Sequence, residues 1–326
     1  MFSGGVDGLN GTAIFIQGSA NIVNLGSVAG DGESIQVQGL AHITNAGTFV
    51  GDVRTVGSFN DVFTNFKKIN GVIKSGTVDG VIELGDGADH YNGGAFGETV
   101  RDGGGADTYK LGGGNDTYLA VKFGVDVDGA DIVDGGKGVD TYDGSLAIGL
   151  LTVNLTAHTT AGSVGSDTVT GFENVIGGNG GCDLTGSSAA NSLTGGAGID
   201  DFAGLGGRDI LTGGGGGDSF SFFSLTDSGT TASARDLITD FTQGGIGSDV
   251  IDLSPIDAKT GAGNPGDDAF AFIGTANFSG VKGQLRESYS GGNTIVSGDV
   301  NGDGQADFSI ALKGHFLLSG AGDFFL

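Results

Sequence analysis

Aspartate residues recur at nine-residue intervals in one glycine-rich stretch of this chain of 326 residues. Asp200, Asp209 and Asp218 hold the same position in three successive nonapeptides, which read GGAGIDDFA, GLGGRDILT and GGGGGDSFS. Carboxylates that lie side by side repel one another unless a cation lies between them. Carboxylate oxygens and glycine carbonyls are hard ligands that suit Ca²⁺, and no Cys/His cluster in the sequence favours zinc. The spacing therefore predicts files of calcium ligands.

The nine-residue period covers two blocks, 84–143 and 177–221, and its phase is set by an apolar or aromatic residue at the eighth position. The sixth positions are Asp89, Glu98, Asp107, Asp116, Asp131, Asp140, Cys182, Asn191, Asp200, Asp209 and Asp218. All of these except Cys182 are predicted metal ligands. A short strand with one inward apolar side chain, followed by a glycine turn, predicts a solenoid of 18-residue coils. Its acidic residues then stack in two files, one along each edge.

Three repeats lack aspartate at the sixth position. Cys182 and Asn191 occupy ligand positions in the first coil of the second block, so this coil is predicted to bind weakly or to cap the roll. Glu98 carries a longer arm than aspartate. Cys182 is either a reactive thiol or a small side chain in a degenerate turn, and the sequence leaves both interpretations open.

In these nonapeptides the chain resembles the RTX (repeats-in-toxin) family, whose repeat is GGxGxDxUx. The resemblance implies a parallel β-roll that binds several calcium ions. Segment 144–176, which connects the two blocks, contains one degenerate unit, GSVGSDTVT.

Residues 1–83 contain a second, longer repeat. The stretch IFIQGSANIVNLGSVAG aligns with IQVQGLAHITNAGTFVG at an offset of 21 residues, which predicts β-helix-like coils. Asn24 and Asn45 fall in register, so they are predicted to form an amide ladder. The charged residues of this region are scattered rather than clustered, which favours a structural role over an enzymatic one.

Residues 222–326 closely resemble the C-terminal domain of serralysin-type secreted proteases, in runs such as NTIVSGDVNGDGQADFSIALKGHFLLSGAGDFFL. The resemblance implies a β-sandwich-like cap and export by a type I (ABC transporter) system with an uncleaved C-terminal signal, here Asp323–Leu326. The resemblance does not imply proteolytic activity, because the sequence contains no HExxH zinc motif. The predicted fold class is all-β, with an N-terminal solenoid, a calcium-binding parallel β-roll and this cap.

One further segment, from residue 299 to 307, spaces oxygen ligands like the start of an EF-hand loop. Its candidate ligands are Asp299, Asn301, Asp303 and Asp307. The twelfth position is Ile310 rather than glutamate, so a calcium-binding hairpin and a plain acidic turn are both compatible with the sequence.

The composition limits the classes of partner. The net charge of −25 disfavours nucleic acid and anionic membrane surfaces, and no apolar run is long enough for a transmembrane helix. The start of the chain lacks the pattern of a Sec-type signal peptide.

The sequence predicts an extracellular, non-catalytic protein that folds when it binds calcium after secretion. Two alternatives stay open. One is a polysaccharide-acting enzyme that uses the N-terminal solenoid, and the other is a fragment that lacks an upstream catalytic domain. A polysaccharide or cell-surface partner is compatible with each of these.

Overall fold

The computed structural model describes residues 5–7, 13–120, 129–260, 267–320 and 322–326. Within these ranges the regular elements are strands, as predicted for an all-β chain, and no helix is present. Part of the predicted nonapeptide 126–134, and part of the predicted solenoid 1–83, lie outside the described residues.

The strands are numbered here in chain order. Up to residue 143 they are β1 (Gly5–Asp7), β2 (Ile14–Gln17), β3 (Ala20–Asn24), β4 (Ser27–Gln38), β5 (Ala41–Asn45), β6 (Thr48–Thr55), β7 (Val62–Thr64), β8 (Phe66–Ile69), β9 (Val72–Ser75), β10 (Thr77–Asp79), β11 (Val81–Glu83), β12 (Asp86–Gly87), β13 (His90–Asn92), β14 (Thr99–Arg101), β15 (Gly104–Gly105), β16 (Thr108–Lys110), β17 (Thr117–Leu119), β18 (Ile132–Asp134) and β19 (Thr141–Asp143).

The remaining strands are β20 (Leu151–Asn154), β21 (Thr159–Gly162), β22 (Thr168–Thr170), β23 (Asn174–Ile176), β24 (Cys182–Ser187), β25 (Ser192–Thr194), β26 (Asp201–Leu205), β27 (Ile210–Thr212), β28 (Ser219–Ser221), β29 (Leu237–Ile238), β30 (Val250–Asp252), β31 (Ala271–Phe272), β32 (Gln284–Ser290), β33 (Asn293–Asp299), β34 (Phe308–Lys313) and β35 (Phe324–Phe325).

The chain forms two compact units. The first contains residues 1–147 and 158–174, and the second contains residues 148–157 and 175–326.

The first unit is a solenoid with two parallel sheets. One sheet pairs β3, β5, β7, β13, β16, β18 and β22 in succession. The other runs through β2, β4, β6, β11, β14, β17 and β19. The predicted alignment of the two N-terminal repeats is confirmed, because Ile14 pairs with Ile35 and Asn24 pairs with Asn45.

The second unit continues the parallel pairing past residue 221. Strand β28 pairs with β30, and β30 pairs with β35, while β27 pairs with β29. Strand β29 then pairs with β34, the last strand of an antiparallel sheet formed by β32, β33 and β34. Strands β29, β30 and β35 therefore continue the parallel sheets of the roll. Strands β32, β33 and β34 add an antiparallel sheet.

The core follows the eighth positions of the nonapeptides. Tyr91, Tyr109, Tyr118 and Tyr142 are fully buried, and each is the middle residue of a three-residue strand. The ring of Tyr118 contacts those of Tyr109 and Tyr142, with centroids 5.3 Å and 5.8 Å apart, and the ring of Tyr91 contacts that of Phe63. These aromatic contacts bury large apolar areas at a regular spacing, which fixes the register of the coils.

Glycine is required at the fourth position of the turns, where neighbouring coils approach most closely. Gly105 and Gly216 have φ values of 130° and 123°, in the region that favours glycine. A Cβ on Gly105 would lie 1.5 Å from the carbonyl oxygen of Gly87, and one on Gly216 would lie 2.0 Å from that of Gly198. The glycines therefore allow the tight stacking that brings the acidic residues together.

Candidate metal centre

Two ladders run along the edges of the solenoid in the first unit, formed by the sixth-position residues of the first block and by polar residues of the flanking coils. We call ladder A the series Asp61, Asp89, Asp107, Asp131 and Asp167. In it, the backbone N–H of each aspartate donates to Oδ1 of the next one, at 2.6, 2.7, 2.8 and 3.1 Å in order. One oxygen of every carboxylate from Asp89 onward is thus fixed by the preceding coil.

Ladder B begins with amides and ends with carboxylates. Its members are Asn24, Asn45, Asn65, Glu98, Asp116, Asp140 and Glu173. The three asparagines bond side chain to side chain at 2.9 and 2.8 Å, which confirms and extends the predicted amide ladder. Asn65 Nδ2 then donates to Glu98 Oε1 at 2.8 Å.

Glu98 is the point where the amide ladder changes into a carboxylate ladder. Its own N–H donates to Asp116 Oδ1 at 2.7 Å, and that of Asp116 donates to Asp140 Oδ1 at 2.8 Å. The hairpin β8–β9 is inserted directly after Asn65, so Glu98 lies 33 residues further along the chain. The longer glutamate arm still reaches the Asn65 amide across this junction.

The second unit repeats the arrangement on both edges. In ladder C, the N–H of Asn191 donates to Asp209 at 2.7 Å, and the N–H of Asp209 donates to Asp236 at 2.8 Å. In ladder D, Asp200 N–H donates to Asp218 at 3.0 Å, and Asp218 N–H donates to Asp249 at 2.9 Å. The predicted ligands of the second block therefore divide between the two edges, as a coil of two nonapeptides requires.

The second oxygen of the ladder carboxylates shows whether a cation fits. Among the described residues, eight ladder acids have one buried carboxylate oxygen without a hydrogen-bond partner. They are Asp61, Asp89, Glu98, Asp116, Asp140, Asp200, Asp209 and Asp236. A buried polar atom without a partner is costly, and more so when it carries charge. A divalent cation that coordinates these oxygens removes the cost, so the residues fit a metal.

Burial also changes the acidity of these groups. Desolvation raises the pKa of Asp89 and of Glu98 to about 8, and like charge from Asp107 and from Asp116, respectively, adds to the shift. In the second unit, desolvation raises the pKa of Asp236 to about 8, and those of Asp209 and Asp218 to about 7. Without a cation these five acids therefore resist ionisation at neutral pH.

The donor set selects the class of metal. The ladders present carboxylate and amide oxygens, which are the ligands of Ca²⁺ rather than of Zn²⁺. Cys182 precedes Asp200 on the edge of ladder D, but burial, together with the charge of Asp200, raises its pKa to about 12. A protonated, buried thiol is a poor metal ligand and a poor nucleophile.

One acidic group lies in the interior of the first unit. Asp102, Asp107 and Asp131 are all buried and offer carboxylate oxygens within 4.8 Å of one another. The hydroxyls of Tyr109 and Tyr118 donate to Asp107 Oδ2 at 3.0 Å and to Asp131 Oδ2 at 3.3 Å. The sequence analysis missed Asp102, although it replaces the usual residue at the first position of the repeat DGGGADTYK.

Five acidic ladder members were also not predicted from the sequence: Asp61, Asp167, Glu173, Asp236 and Asp249. Asp167 could have been found, since it is the sixth residue of the degenerate unit GSVGSDTVT. The others lie in coils of irregular length, such as the 28 residues from Asp61 to Asp89 and the 31 from Asp218 to Asp249. A search for a fixed period does not detect them.

The predicted ligands at 299–307 lie apart from the ladders, in the loop that joins β33 to β34. Asp299 is buried, and its two carboxylate oxygens accept the N–H groups of Gly302 and Gly304 at 2.7 and 2.9 Å. Asp307 Oδ1 accepts a bond from the Asn301 amide at 2.7 Å, and Asp303 Oδ1 accepts the Gln305 N–H at 2.8 Å. These bonds organise an acidic turn, and calcium binding by this loop stays a prediction.

The segment predicted as the export signal is part of the fold. Phe324 pairs with Ile251, and Asp323 is buried. One oxygen of Asp323 accepts the Ser319 N–H at 2.6 Å and the Gln243 amide at 2.9 Å. No helix within the described ranges has the length and apolar character needed to cross a membrane.

Comparison with known proteins identifies one matching family model. The model for the peptidase M10 serralysin C-terminal domain matches residues 95–325. This range begins within the second nonapeptide of the first block and includes the whole second block. Among solved structures, a similar one is the solution structure of the AlgE6R3 subunit from the Azotobacter vinelandii mannuronan C5-epimerase. It is 19% identical, covers 69% of this chain and 71% of that chain, and has a TM-score of 0.20. No curated protein matches the chain.

Proposed function

Because the chain belongs to the family of the peptidase M10 serralysin C-terminal domain, we propose that it is a secreted, non-catalytic protein that folds on binding calcium. The observation that carries this proposal is the set of buried ladder oxygens without hydrogen-bond partners. The non-catalytic part rests on the sequence, which contains no HExxH motif and no nucleophile with triad spacing.

The two oxygens of a ladder carboxylate have different roles. In most of these carboxylates one oxygen accepts a backbone N–H of the preceding coil, as in the bond of 2.6 Å from the Asp61 N–H to Asp89 Oδ1. This bond orients the carboxylate and leaves its second, buried oxygen available to a cation. Bound calcium would supply the positive charge and the coordination that the second oxygens lack.

Calcium binding and folding are coupled in this scheme. In the unfolded chain at neutral pH the carboxylates are ionised, and the net charge of −25 opposes compaction. Ordering 70 glycines adds a large entropic cost. The free energy of metal binding offsets both terms, so the roll forms only when the ion is present.

This coupling suits export by a type I system. Extracellular calcium-binding modules have Kd values on the order of 10⁻⁴ to 10⁻³ M. The roll therefore stays unfolded at the low calcium concentration of the cytosol and folds at the higher concentration outside the cell. In the folded chain the tail Asp323–Leu326 is held by strand pairing and by the bonds to Asp323. A transporter can therefore read this tail only before the chain folds.

The folding proposal is tested by far-UV circular dichroism of the purified chain in EGTA, titrated with CaCl₂ and separately with MgCl₂. We expect a transition from coil to β-structure near millimolar calcium. Magnesium should not produce it, since Mg²⁺ demands octahedral geometry and keeps its waters. A full β-spectrum in EGTA that calcium does not change would overturn the proposal.

The export proposal is tested by comparing secretion of the full chain with that of a chain lacking residues 320–326, in cells that carry a type I system. We expect loss of the truncated chain from the medium and its accumulation in the cytosol. A purified sample of the truncated chain, titrated with calcium, reports separately on folding. Equal secretion of the two chains would contradict the assignment of the signal.

A further inference from the structure

A β-hairpin in the first unit forms a sheet separate from the two large sheets and takes no part in the ladders. Strands β8 and β9 form a two-stranded sheet of their own, with Phe66 opposite Ser75 and Lys67 opposite Lys74. The hairpin is inserted between Asn65, a member of ladder B, and Gly76, whose N–H donates to the Asn65 carbonyl at 2.8 Å. Its base is thus fixed by the solenoid, while its tip is free of the two large sheets.

The hairpin is basic in a strongly acidic protein. Its sequence FKKINGVIKS contains Lys67, Lys68 and Lys74 and no acidic residue, whereas the whole chain has 14 basic and 39 acidic residues. None of the three lysines makes an ion pair with any residue that the structure describes. Like charges directly opposite each other, such as Lys67 and Lys74, destabilise a strand pair unless an anion lies near them.

The tip of the hairpin is apolar and exposed. Asn70 and Gly71 have φ values of 51° and 84°, as in a type I′ turn, which is the preferred two-residue connection. The next two residues, Val72 and Ile73, are 62% and 64% exposed. A two-stranded hairpin is marginally stable alone, so its exposed apolar side chains do not serve a core of their own.

We propose that this hairpin docks on an anionic lipid surface, with Val72 and Ile73 at the level of the headgroups and the lysines beside the phosphates. The proposal goes beyond calcium binding and does not depend on it. Branched aliphatic side chains beside lysines suit a lipid interface, whereas binding of sugar rings favours exposed aromatic residues, of which the tip has none. An anionic polysaccharide is therefore the less favoured partner.

The acidic character of the chain does not exclude this docking. Four-residue strands extend the tip by roughly 13 Å from its base. This distance exceeds the Debye length of about 8 Å at physiological ionic strength, so acidic coils at the hairpin base are largely screened beside Val72 and Ile73, whereas Lys67 and Lys74 lie nearer that base. The average charge, which disfavours membranes in the sequence analysis, thus does not describe the field at this protrusion.

The test is flotation of the full chain in CaCl₂ with vesicles of phosphatidylcholine alone or of a two-to-one mixture of phosphatidylcholine and phosphatidylglycerol. We expect flotation with the anionic vesicles only. The variant Lys67→Gln/Lys68→Gln/Lys74→Gln should weaken binding on the order of 100-fold, at about tenfold for each 1.4 kcal/mol. Val72→Ser/Ile73→Ser should weaken it as well. Circular dichroism in calcium verifies that each variant folds.

Matched controls carry the same changes on other exposed residues: Lys110→Gln/Lys137→Gln/Lys313→Gln and Ile199→Ser/Ile246→Ser. They should float like the unmodified chain. Calcium can bridge acidic residues to anionic lipids, and equal flotation of hairpin and control variants would assign binding to that effect and overturn the proposal. Absence of flotation would also overturn it. Binding to soluble alginate that needs the lysines but not Val72 and Ile73 would replace the lipid by a polysaccharide.

Discussion

At the scale of single residues, the ladder carboxylates divide their two oxygens between two tasks. Asp200 illustrates this: Oδ2 accepts the Gly196 N–H at 2.8 Å, while Oδ1 is buried without a hydrogen-bond partner. The neighbouring Asp201 is exposed on the outer face of β26. A cation would therefore partner the buried oxygen of Asp200, whereas the exposed carboxylate of Asp201 is solvated by water.

The variant Asp200→Asn should raise the calcium concentration at the folding midpoint, because it removes a negative charge from the ladder and keeps an oxygen acceptor. We expect a loss of roughly tenfold in affinity at the affected site. The measurement is the calcium titration followed by circular dichroism. Asp201→Asn is the matched control and should leave the midpoint unchanged. Equal shifts in both variants would show that only the total charge matters.

The thiol of Cys182 should be inert in the folded protein, since burial raises its pKa to about 12 and only the thiolate is nucleophilic. At pH 8, alkylation by iodoacetamide should be slower than in urea by at least about 100-fold, because an unfolded cysteine has a pKa near 8.5. Mass spectrometry of samples in calcium, with and without urea, measures both rates. Rapid alkylation in the folded chain would favour the reactive-thiol interpretation.

At the scale of elements, the turn decides whether a coil can stack. The short strands supply one buried side chain each, but the approach of successive turns is limited by backbone atoms. In the last nonapeptide, Gly215 and Gly216 are neighbours with different surroundings. A Cβ on Gly215 would lie 3.8 Å from the nearest atom, whereas one on Gly216 would lie 2.0 Å from a backbone oxygen.

Gly216→Ala should therefore destabilise the second unit strongly, by about 3 kcal/mol or more, because both the positive φ and the contact with Gly198 forbid a side chain. Gly215→Ala should change the free energy of unfolding by less than about 1 kcal/mol. Urea unfolding of both variants in saturating calcium gives the comparison. If both lose stability equally, the turn is less tightly packed than the structure indicates.

Ladder B joins coils whose ladder residues are asparagines, which need no ion, to coils whose ladder residues are acids, which need a cation. The amides of Asn24, Asn45 and Asn65 satisfy one another without any ion, whereas Asp116 and Asp140 each retain a buried oxygen without a partner. Glu98 connects the two series through Asn65. The N-terminal coils thus present a preformed edge on which the carboxylate coils can stack.

At the scale of the whole molecule, calcium and protons compete for the same groups. Without calcium, burial raises the pKa of Asp89, Glu98 and Asp236 to about 8, compared with about 4 in an unfolded chain. The folded state therefore binds these protons more tightly than the unfolded state does. This contribution to stability is complete below pH 4 and is lost as the pH rises through about 8.

The chain in EGTA should consequently gain β-structure on acidification from pH 8 to pH 5. Each such carboxyl changes the free energy of unfolding by up to about 1.4 kcal/mol per pH unit in this range. Circular dichroism at intermediate pH values, kept above the pI of 4.1 to avoid precipitation, measures the transition. In saturating calcium the same range should show little change. A calcium-free chain that loses β-structure on acidification would contradict the sign.

The repeating part of the fold follows from the amino-acid sequence alone. The hydrophobic eighth position, the acidic sixth position and the offset between the N-terminal repeats each follow from local periodicity. They predicted the solenoid, the burial of Tyr91 and Phe220, and two files of ligands, with Asp200 and Asp218 on one edge and Asn191 and Asp209 on the other. Local periodicity suffices there because each coil contacts only its neighbours.

Only the tertiary structure decided which residues complete the ladders outside the regular repeats. Asp61, Asp236 and Asp249 join through coils of other lengths, so their sequence spacing carries no signal. Asp102 meets Asp107 and Asp131 because its coil turns it inward. The tail at Phe324 pairs with Ile251, which lies far earlier in the chain. These contacts depend on which backbones lie side by side after folding, and loops of unequal length hide that adjacency from any fixed period.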